Sequence, residues 1–297
     1  MQLQTLEAII FDLDGTILDT TAELCHAVAT AANRIVPELH LHPAQLLSKY
    51  PGLTGGPLEE YHDAIILPHL KEPQQQEDST VKKKNVDDQN KNNTVEAAAA
   101  ATRHQASINT FIQYFIEAID RAATPPLAFP DVEGALLDLH RKYPAIKFAI
   151  ATTKPTPVAN QNLTILVPTV RSLFRHVQGT DRGISPKPAP DVLLRCVAAL
   201  GTRNSEDDND DIGGGVVDIR KTIYIGDTAR DSAAAKAAGC LLSLTVRRPK
   251  KNNNNNNDDN GQTNTNTTKN LDKLGADILI EDFHGIEDAL QRWNVPQ

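Results

Sequence analysis

Phe11-Asp12-Leu13-Asp14-Gly15-Thr16 ends an apolar run, Ala8-Ile9-Ile10-Phe11, with two carboxylates spaced one residue apart. The run has no polar alternation, as expected of a strand buried on both faces of a parallel sheet. Ligands of open α/β sheets bind outside the carboxyl ends of the strands, so Asp12 stands where chemistry is usually carried. Asp14 follows in the loop, Gly15 permits a sharp turn, and Thr16 adds a hydroxyl beside it. An Asx-rich turn after a strand accounts for any one of these residues, but not for the group.

Three more stretches repeat the theme of a strand or turn that delivers one polar group. Lys147-Phe148-Ala149-Ile150-Ala151-Thr152 is a short apolar strand ending in a hydroxyl, followed by Thr153-Lys154-Pro155. Ser185-Pro186-Lys187-Pro188-Ala189-Pro190-Asp191 sets a lysine between prolines, just before a helical pattern through Val192, Cys196 and Ala199. Thr222-Ile223-Tyr224-Ile225-Gly226-Asp227 is a strand ending in an acid, and Asp231 opens a helix that Gly239 closes. Each stretch alone is a weak signal, since lysines are often solvated and helix N-termini often carry a capping Asp. Their joint occurrence in this order is specific.

Asp12-Leu13-Asp14-Gly15-Thr16 resembles the first motif of the haloacid dehalogenase superfamily in its phosphatase branch, and the other stretches match the remaining motifs in order. A phosphate ester needs a nucleophile, a proton donor for the leaving oxygen and positive charge over the equatorial oxygens. Asp12 can supply the nucleophile, giving an aspartyl-phosphate, while Asp14 donates a proton and later takes one from water, which requires a raised pKa. Anions facing a phosphate call for a hard divalent cation, expected to be Mg²⁺, with Asp12 and Asp227 as carboxylate ligands. The resemblance adds the backbone carbonyl of Asp14 as a ligand and places Asp231 near the metal. It also implies that Thr152 and Lys187 hold the phosphoryl oxygens, with Thr16 and Thr153 beside them. An acid at position 14 disfavours carbon–halogen cleavage, because an alkyl halide needs no proton on its leaving group.

About 135 residues separate Thr16 from Thr152, far more than one βαβ crossover requires. A helical cap is therefore expected over residues 18–127, inserted into an α/β core of residues 1–17 and 128–297. Thr20-x-x-Glu23 reads as a capping box for a helix with Leu24, Ala27, Val28, Ala31, Ala32 and Ile35 on one face. A return helix has Ile108, Phe111, Ile112, Phe115 and Ile119. The cap resembles that of the phosphoglycolate phosphatase-like branch, and its loop Lys49 to Pro57 offers Gly55 and Gly56 for backbone approach to substrate. Residues 71–104, 203–215 and 250–269 are too polar to offset their ordering entropy and read as disordered insertions, although Glu96 and the alanine run Ala97 to Ala101 can extend the return helix.

Strand patterns at Leu241 to Val246 and Ala276 to Ile280, with helices at Val132 to Arg141 and Gly285 to Trp293, complete an alternating pattern. The expected fold is α/β, a Rossmann-like parallel sheet covered by helices on both faces. A net charge of −8 and the lack of a basic stripe argue against nucleic acid as partner, and no apolar run approaches the ~20 residues of a membrane span. With the first strand starting near residue 7 and three cysteines without metal spacing, the expectation is a reduced cytoplasmic protein, monomer or homodimer. None of the nine histidines has the partner spacing of a zinc site.

The leading expectation is a Mg²⁺-dependent phosphomonoester hydrolase, similar to phosphoglycolate phosphatases, acting on a small phosphorylated metabolite such as a phosphoglycolate-like compound or a sugar phosphate. Two alternatives stay open: a phosphosugar mutase of the β-phosphoglucomutase type, and a non-catalytic binding protein of the same fold. Thr152-Thr153-Lys154-Pro155 is closer to the phosphatase form, where Thr-Asn-Lys-Pro is usual.

Overall fold

The apolar run at residues 8–11 becomes β1 (Ala8–Phe11), with all four side chains fully buried. A computed structural model of the chain describes residues 6–50, 53, 57–70, 86–120, 126–201, 216–248 and 275–292. The other strands are β2 (Leu18–Asp19), β3 (Leu127–Ala128), β4 (Lys147–Ala151), β5 (Phe174–Gln178), β6 (Thr222–Gly226), β7 (Leu242–Val246) and β8 (Ile278–Ile280). Six of them form one sheet in the order β5-β4-β1-β6-β7-β8, parallel throughout, while β2 and β3 pair as a short antiparallel ribbon.

The chain runs from β1 to β4 and, through α7 (Thr156–Asn162) and α8 (Pro168–Arg171), outward to β5, then returns to β6 on the other side of β1. That reversal is the topological switch point at which open α/β sheets bind their ligands. Register places Phe11 level with Ile150 and Ile225, so Asp12, Thr152 and Asp227 leave three adjacent strands at the same edge.

Strand periodicity divides the sheet into two apolar faces. Ile9, Phe11, Phe148, Ile150, Ile223 and Ile225 point into one core, where α6 (Val132–Lys142) and the helix Gly285–Arg292 supply Val132, Leu136, Ile286 and Leu290. Ala8, Ile10, Ala149, Ala151 and Tyr224 point into the other, against Val192, Leu193 and Cys196 of α9 (Asp191–Gly201) and Ala234 and Ala235 of α10 (Ala229–Ala238). The fold is the expected parallel α/β sheet covered on both faces. β5 went unassigned in the sequence because Phe174-Arg175-His176-Val177-Gln178 lies at the sheet edge, half-exposed, and reads as polar.

Two compact units divide the chain, Met1–Thr21 with Pro125–Gln297 and Ala22–Thr124. The second unit contains α1 (Thr21–Ile35), α2 (Leu46–Lys49), α3 (Leu58–Ile65), α4 (Leu67–Leu70) and α5 (Val86–Asp120), all but the first residue of α1 lying within it. Its core joins Cys25, Val28, Ala32, Tyr61, Ile65 and Phe111.

One expectation is corrected in this unit. The return helix begins at Val86, so residues 86–95 are helical as well as the stretch from Glu96 onward that the alanine run was expected to add. Five consecutive alanines at 97–101 have the highest helix propensity available and carry the helix beyond its apolar face. The remainder of that insertion, 71–85, lies outside the described residues, as do 203–215, 250–269, Gly55 and Gly56. Among the described residues no helix is long and apolar enough to cross a membrane.

Candidate active site

Asp12 takes its place from the strand before it. Phe11 stacks on Phe283 with ring centroids 5.6 Å apart and meets Phe148 and Phe174 edge-on, which anchors the end of β1. The next backbone N–H, that of Asp12, still bonds to Ile225 across the sheet at 2.8 Å. The chain then turns: Gly15 takes φ +76°, a conformation that favours glycine, and its N–H returns to the Leu18 carbonyl at 2.8 Å. A Cβ at Gly15 would stand 2.4 Å from Asp227 Oδ2, so close approach of the two loops depends on the missing side chain.

Asp12, Asp227 and Asp231 each offer a carboxylate oxygen within 4.8 Å of the others. Lys187 enters among them from the loop before α9, and its side chain is 3 % exposed. Nζ donates to Asp231 Oδ1 at 2.6 Å and to Tyr224 Oη at 2.9 Å, and faces Asp12 Oδ1 at 2.7 Å. The contact with Asp12 is a buried ion pair whose angles are poorer than those of the other two contacts. Asp231 is otherwise engaged: its Oδ2 accepts the N–H and hydroxyl of Thr228 in the capping box of α10.

The charge balance explains the titration of the group. Burial pushes Asp12 up to about 7, with Asp231 and Asp14 adding to the rise and Lys187 opposing it. Burial likewise raises Asp227 well above the carboxylate range, helped by Asp231 and Asp12. Burial would raise Asp231 as well, but Lys187 and the Thr228 hydrogen bonds outweigh it and hold this carboxyl below its ordinary value. For Lys187 burial acts downward, yet the carboxylates of Asp12 and Asp231 keep its ammonium above the ordinary lysine value. One lysine thus does not neutralise three enclosed carboxylates. An all-oxygen donor set with more carboxylates than cations fits a hard divalent cation.

The remaining expected residues fall on the loops around this cluster. Asp14 is half-buried, its Oδ1 2.8 Å from Lys154 Nζ, and Lys154 also donates to Asn162 at 2.9 Å. Thr16 is fully buried and its hydroxyl donates to Asp227 Oδ1 at 3.4 Å. Thr152, just past β4, is 1 % exposed, and its Oγ1 accepts the Lys154 N–H at 3.2 Å, which leaves the hydroxyl hydrogen to donate. Thr153 is half-buried on the same turn.

Sequence reading passed over Tyr224, Lys154 and Thr228. Tyr224 Oη accepts from Lys187, donates to the Ala151 carbonyl at 2.9 Å and lies 3.2 Å from Asp231. Its signal was present as a tyrosine hydroxyl in the middle of a strand buried on both faces. Lys154 and Thr228 carry no such signal, because their contacts with Asp14 and Asp231 depend on loop geometry.

A family model described as haloacid dehalogenase-like hydrolase matches residues 6–239. A phosphoglycolate phosphatase of Pectobacterium atrosepticum is 29% identical over 138 residues, 46% of this chain and 50% of that enzyme, so the chain's match spans half the length of this curated relative. A phosphoglycolate phosphatase of Neisseria meningitidis serogroup A is 24% identical over 241 residues, 80% of each chain. The crystal structure of β-phosphoglucomutase from Clostridium difficile covers 98% of both chains with a TM-score of 0.55 and 17% identity, a likeness of fold alone. The matched family span runs from before β1 to the end of α10 and takes in every residue of the carboxylate–lysine cluster, and on that match the chain belongs to the haloacid dehalogenase-like hydrolase family.

Proposed function

We propose that this hydrolase is a Mg²⁺-dependent phosphatase that cleaves a small phosphomonoester through an aspartyl-phosphate on Asp12. The observation that carries the reading is Asp12 itself: a buried carboxylate at the central strand end, grouped with Asp227 and Asp231 and facing a buried ammonium at 2.7 Å. The names of the Pectobacterium and Neisseria relatives support phosphoglycolate-like esters as the first substrates to try.

Asp12 and Asp227 would hold the cation, with Asp231 beside them; when bound, Mg²⁺ supplies positive charge against the phosphoryl oxygens and the acidic cluster. In the first step an Asp12 carboxylate oxygen forms a bond to phosphorus as the ester P–O bond breaks, and Asp14 passes a proton to the leaving oxygen. In the second, Asp14 takes a proton from water, whose oxygen bonds to phosphorus and releases phosphate and the free Asp12 carboxylate. Lys154 keeps the Asp14 carboxyl in place at 2.8 Å. Lys187 has two well-directed hydrogen bonds within the protein, and the ammonium hydrogen turned toward Asp12 would be shared with a phosphoryl oxygen bound beside that carboxylate. The Thr152 hydroxyl donates from the neighbouring strand end.

Phosphate release from a panel of small phosphomonoesters, measured with and without Mg²⁺, tests the reading. Release should require the metal and fall by about a thousandfold or more in Asp12→Asn. Asp12→Asn protein that is folded and retains the wild-type rate would rule out the nucleophile assignment. Interconversion of hexose phosphates without phosphate release would assign the chain to phosphoryl return onto a sugar instead.

A further inference from the structure

The second unit brings together three donors that lie far apart in the chain. His62 and Asp63 stand on α3, and His104 stands on α5. Asp63 Oδ1 is 2.8 Å from His62 Nδ1 and 2.6 Å from His104 Nε2, and all three ligand atoms lie within 4.8 Å of one another. The two imidazole rings have centroids 5.4 Å apart and planes inclined at 54°. None of these residues belongs to the carboxylate cluster, and the proposed phosphatase chemistry uses none of them.

We propose that His62, Asp63 and His104 form a binding site for a divalent transition-metal ion of the zinc class. Two imidazole nitrogens with one carboxylate oxygen are a donor set for zinc-like ions and a poor one for Mg²⁺ or Ca²⁺, which take oxygen ligands. The surroundings match those of a protein-built ligand. The His62 ring is fully buried and held edge-on to Phe111, and its other nitrogen, Nε2, lies 2.8 Å from Ser107 Oγ. With Ser107 accepting the Nε2 hydrogen, the Nδ1 lone pair faces the other two donors, the outer-sphere arrangement that orients metal-bound histidines.

Without metal, hydrogens on the ring nitrogens occupy the space beside Asp63. Ligation replaces those hydrogens, and ligand atoms around an ion with bonds of about 2.0–2.2 Å must spread to roughly 3 Å or more apart. Asp63 and His104 have the freedom to make that shift, being 45% and 35% exposed, and their exposure admits water to the remaining coordination positions. The backbone beneath them is fixed, because Tyr61 and Ile65 of α3 pack with Phe111 of α5 in the unit's core. A bound ion would therefore cross-link α3 to α5 and stabilise the second unit by mass action.

The test uses the full chain, stripped of metal and kept in saturating Mg²⁺ so that the oxygen-rich cluster is occupied. Zn²⁺ uptake is measured by equilibrium dialysis, and Co²⁺ is used as a spectroscopic probe for nitrogen ligation. Wild type and Asp12→Asn should each take up one Zn²⁺ per chain, show the visible band of Co²⁺ bound to imidazole, and melt at higher temperature with Zn²⁺. His104→Ala and Asp63→Ala, both at partly exposed positions, should weaken uptake at least about tenfold and lose the thermal shift. Absence of stoichiometric uptake by wild type overturns the proposal. So does binding that survives both substitutions, or that disappears in Asp12→Asn.

Discussion

Gly15 shows how much of the cluster rests on a single missing side chain. Its φ of +76° is one that L side chains rarely adopt, and an added Cβ would stand 2.4 Å from Asp227 Oδ2. Gly15→Ala must therefore shift the Asp12–Asp14 turn or push Asp227 away. The expected outcome is a stability loss of about 1–3 kcal/mol together with a large fall in phosphate release. Urea midpoints beside turnover would check both, and a variant with wild-type activity would show that the close approach of these loops is unnecessary. Tyr224 acts at the same scale from within β6: buried and hydrogen-bonded to the Ala151 carbonyl, it gives Lys187 a fixed acceptor.

At the scale of elements, α10 carries a capping box that also presents a site residue. Thr228 accepts the Asp231 N–H and Asp231 Oδ2 accepts the Thr228 N–H, while Asp231 Oδ1 remains bonded to Lys187. One carboxylate thus starts the helix and restrains the ammonium. Thr228→Ala should cost about 1 kcal/mol through the lost cap. It should also lower activity, since Asp231 then turns more freely; a stability loss with unchanged kinetics would separate the cap from the site. β5 and the early start of α5 are lessons of the same scale. An edge strand keeps polar residues on its open side, and the polar sequence of residues 86–95 carries no apolar stripe to announce the helix that continues through it.

For the whole molecule, the enclosed carboxylates couple folding to pH. In the metal-free chain Asp12 is raised from 3.8 to about 7, and Asp227 is raised well above its ordinary value. Between those limits the folded chain binds more protons at these sites than the unfolded chain does, so their stabilisation is full at low pH and is lost as pH rises through the folded value. Asp231, which is held low, acts in the opposite sense below its ordinary 3.8, where protonating it removes its bond to Lys187. With chelator present, the melting temperature should fall from about pH 5 to about pH 7.5. Asp12→Asn, which cannot ionise, should flatten that fall. A wild-type profile that is level or rising across the interval would mean that Asp12 is ionised throughout.

By itself the sequence determined the layered α/β fold and the strand ends that carry Asp12, Thr152 and Asp227, because burial on both sheet faces imposes unbroken apolar runs and the polar residue that ends each run stands out. It also marked Lys187 and Asp231 by their place before or within a helix start. Only the tertiary structure decided how Lys187 divides its contacts among Asp12, Asp231 and Tyr224, or that Lys154 would meet Asp14. Those contacts join segments whose separation along the chain sets no geometry. The histidines make the same point: no spacing suggested a metal site, yet packing of α3 on α5 sets His104 beside Asp63, 41 residues away. Periodicity records which face of an element is buried, whereas the meeting of two polar side chains depends on the packing of whole elements, which only the folded chain specifies.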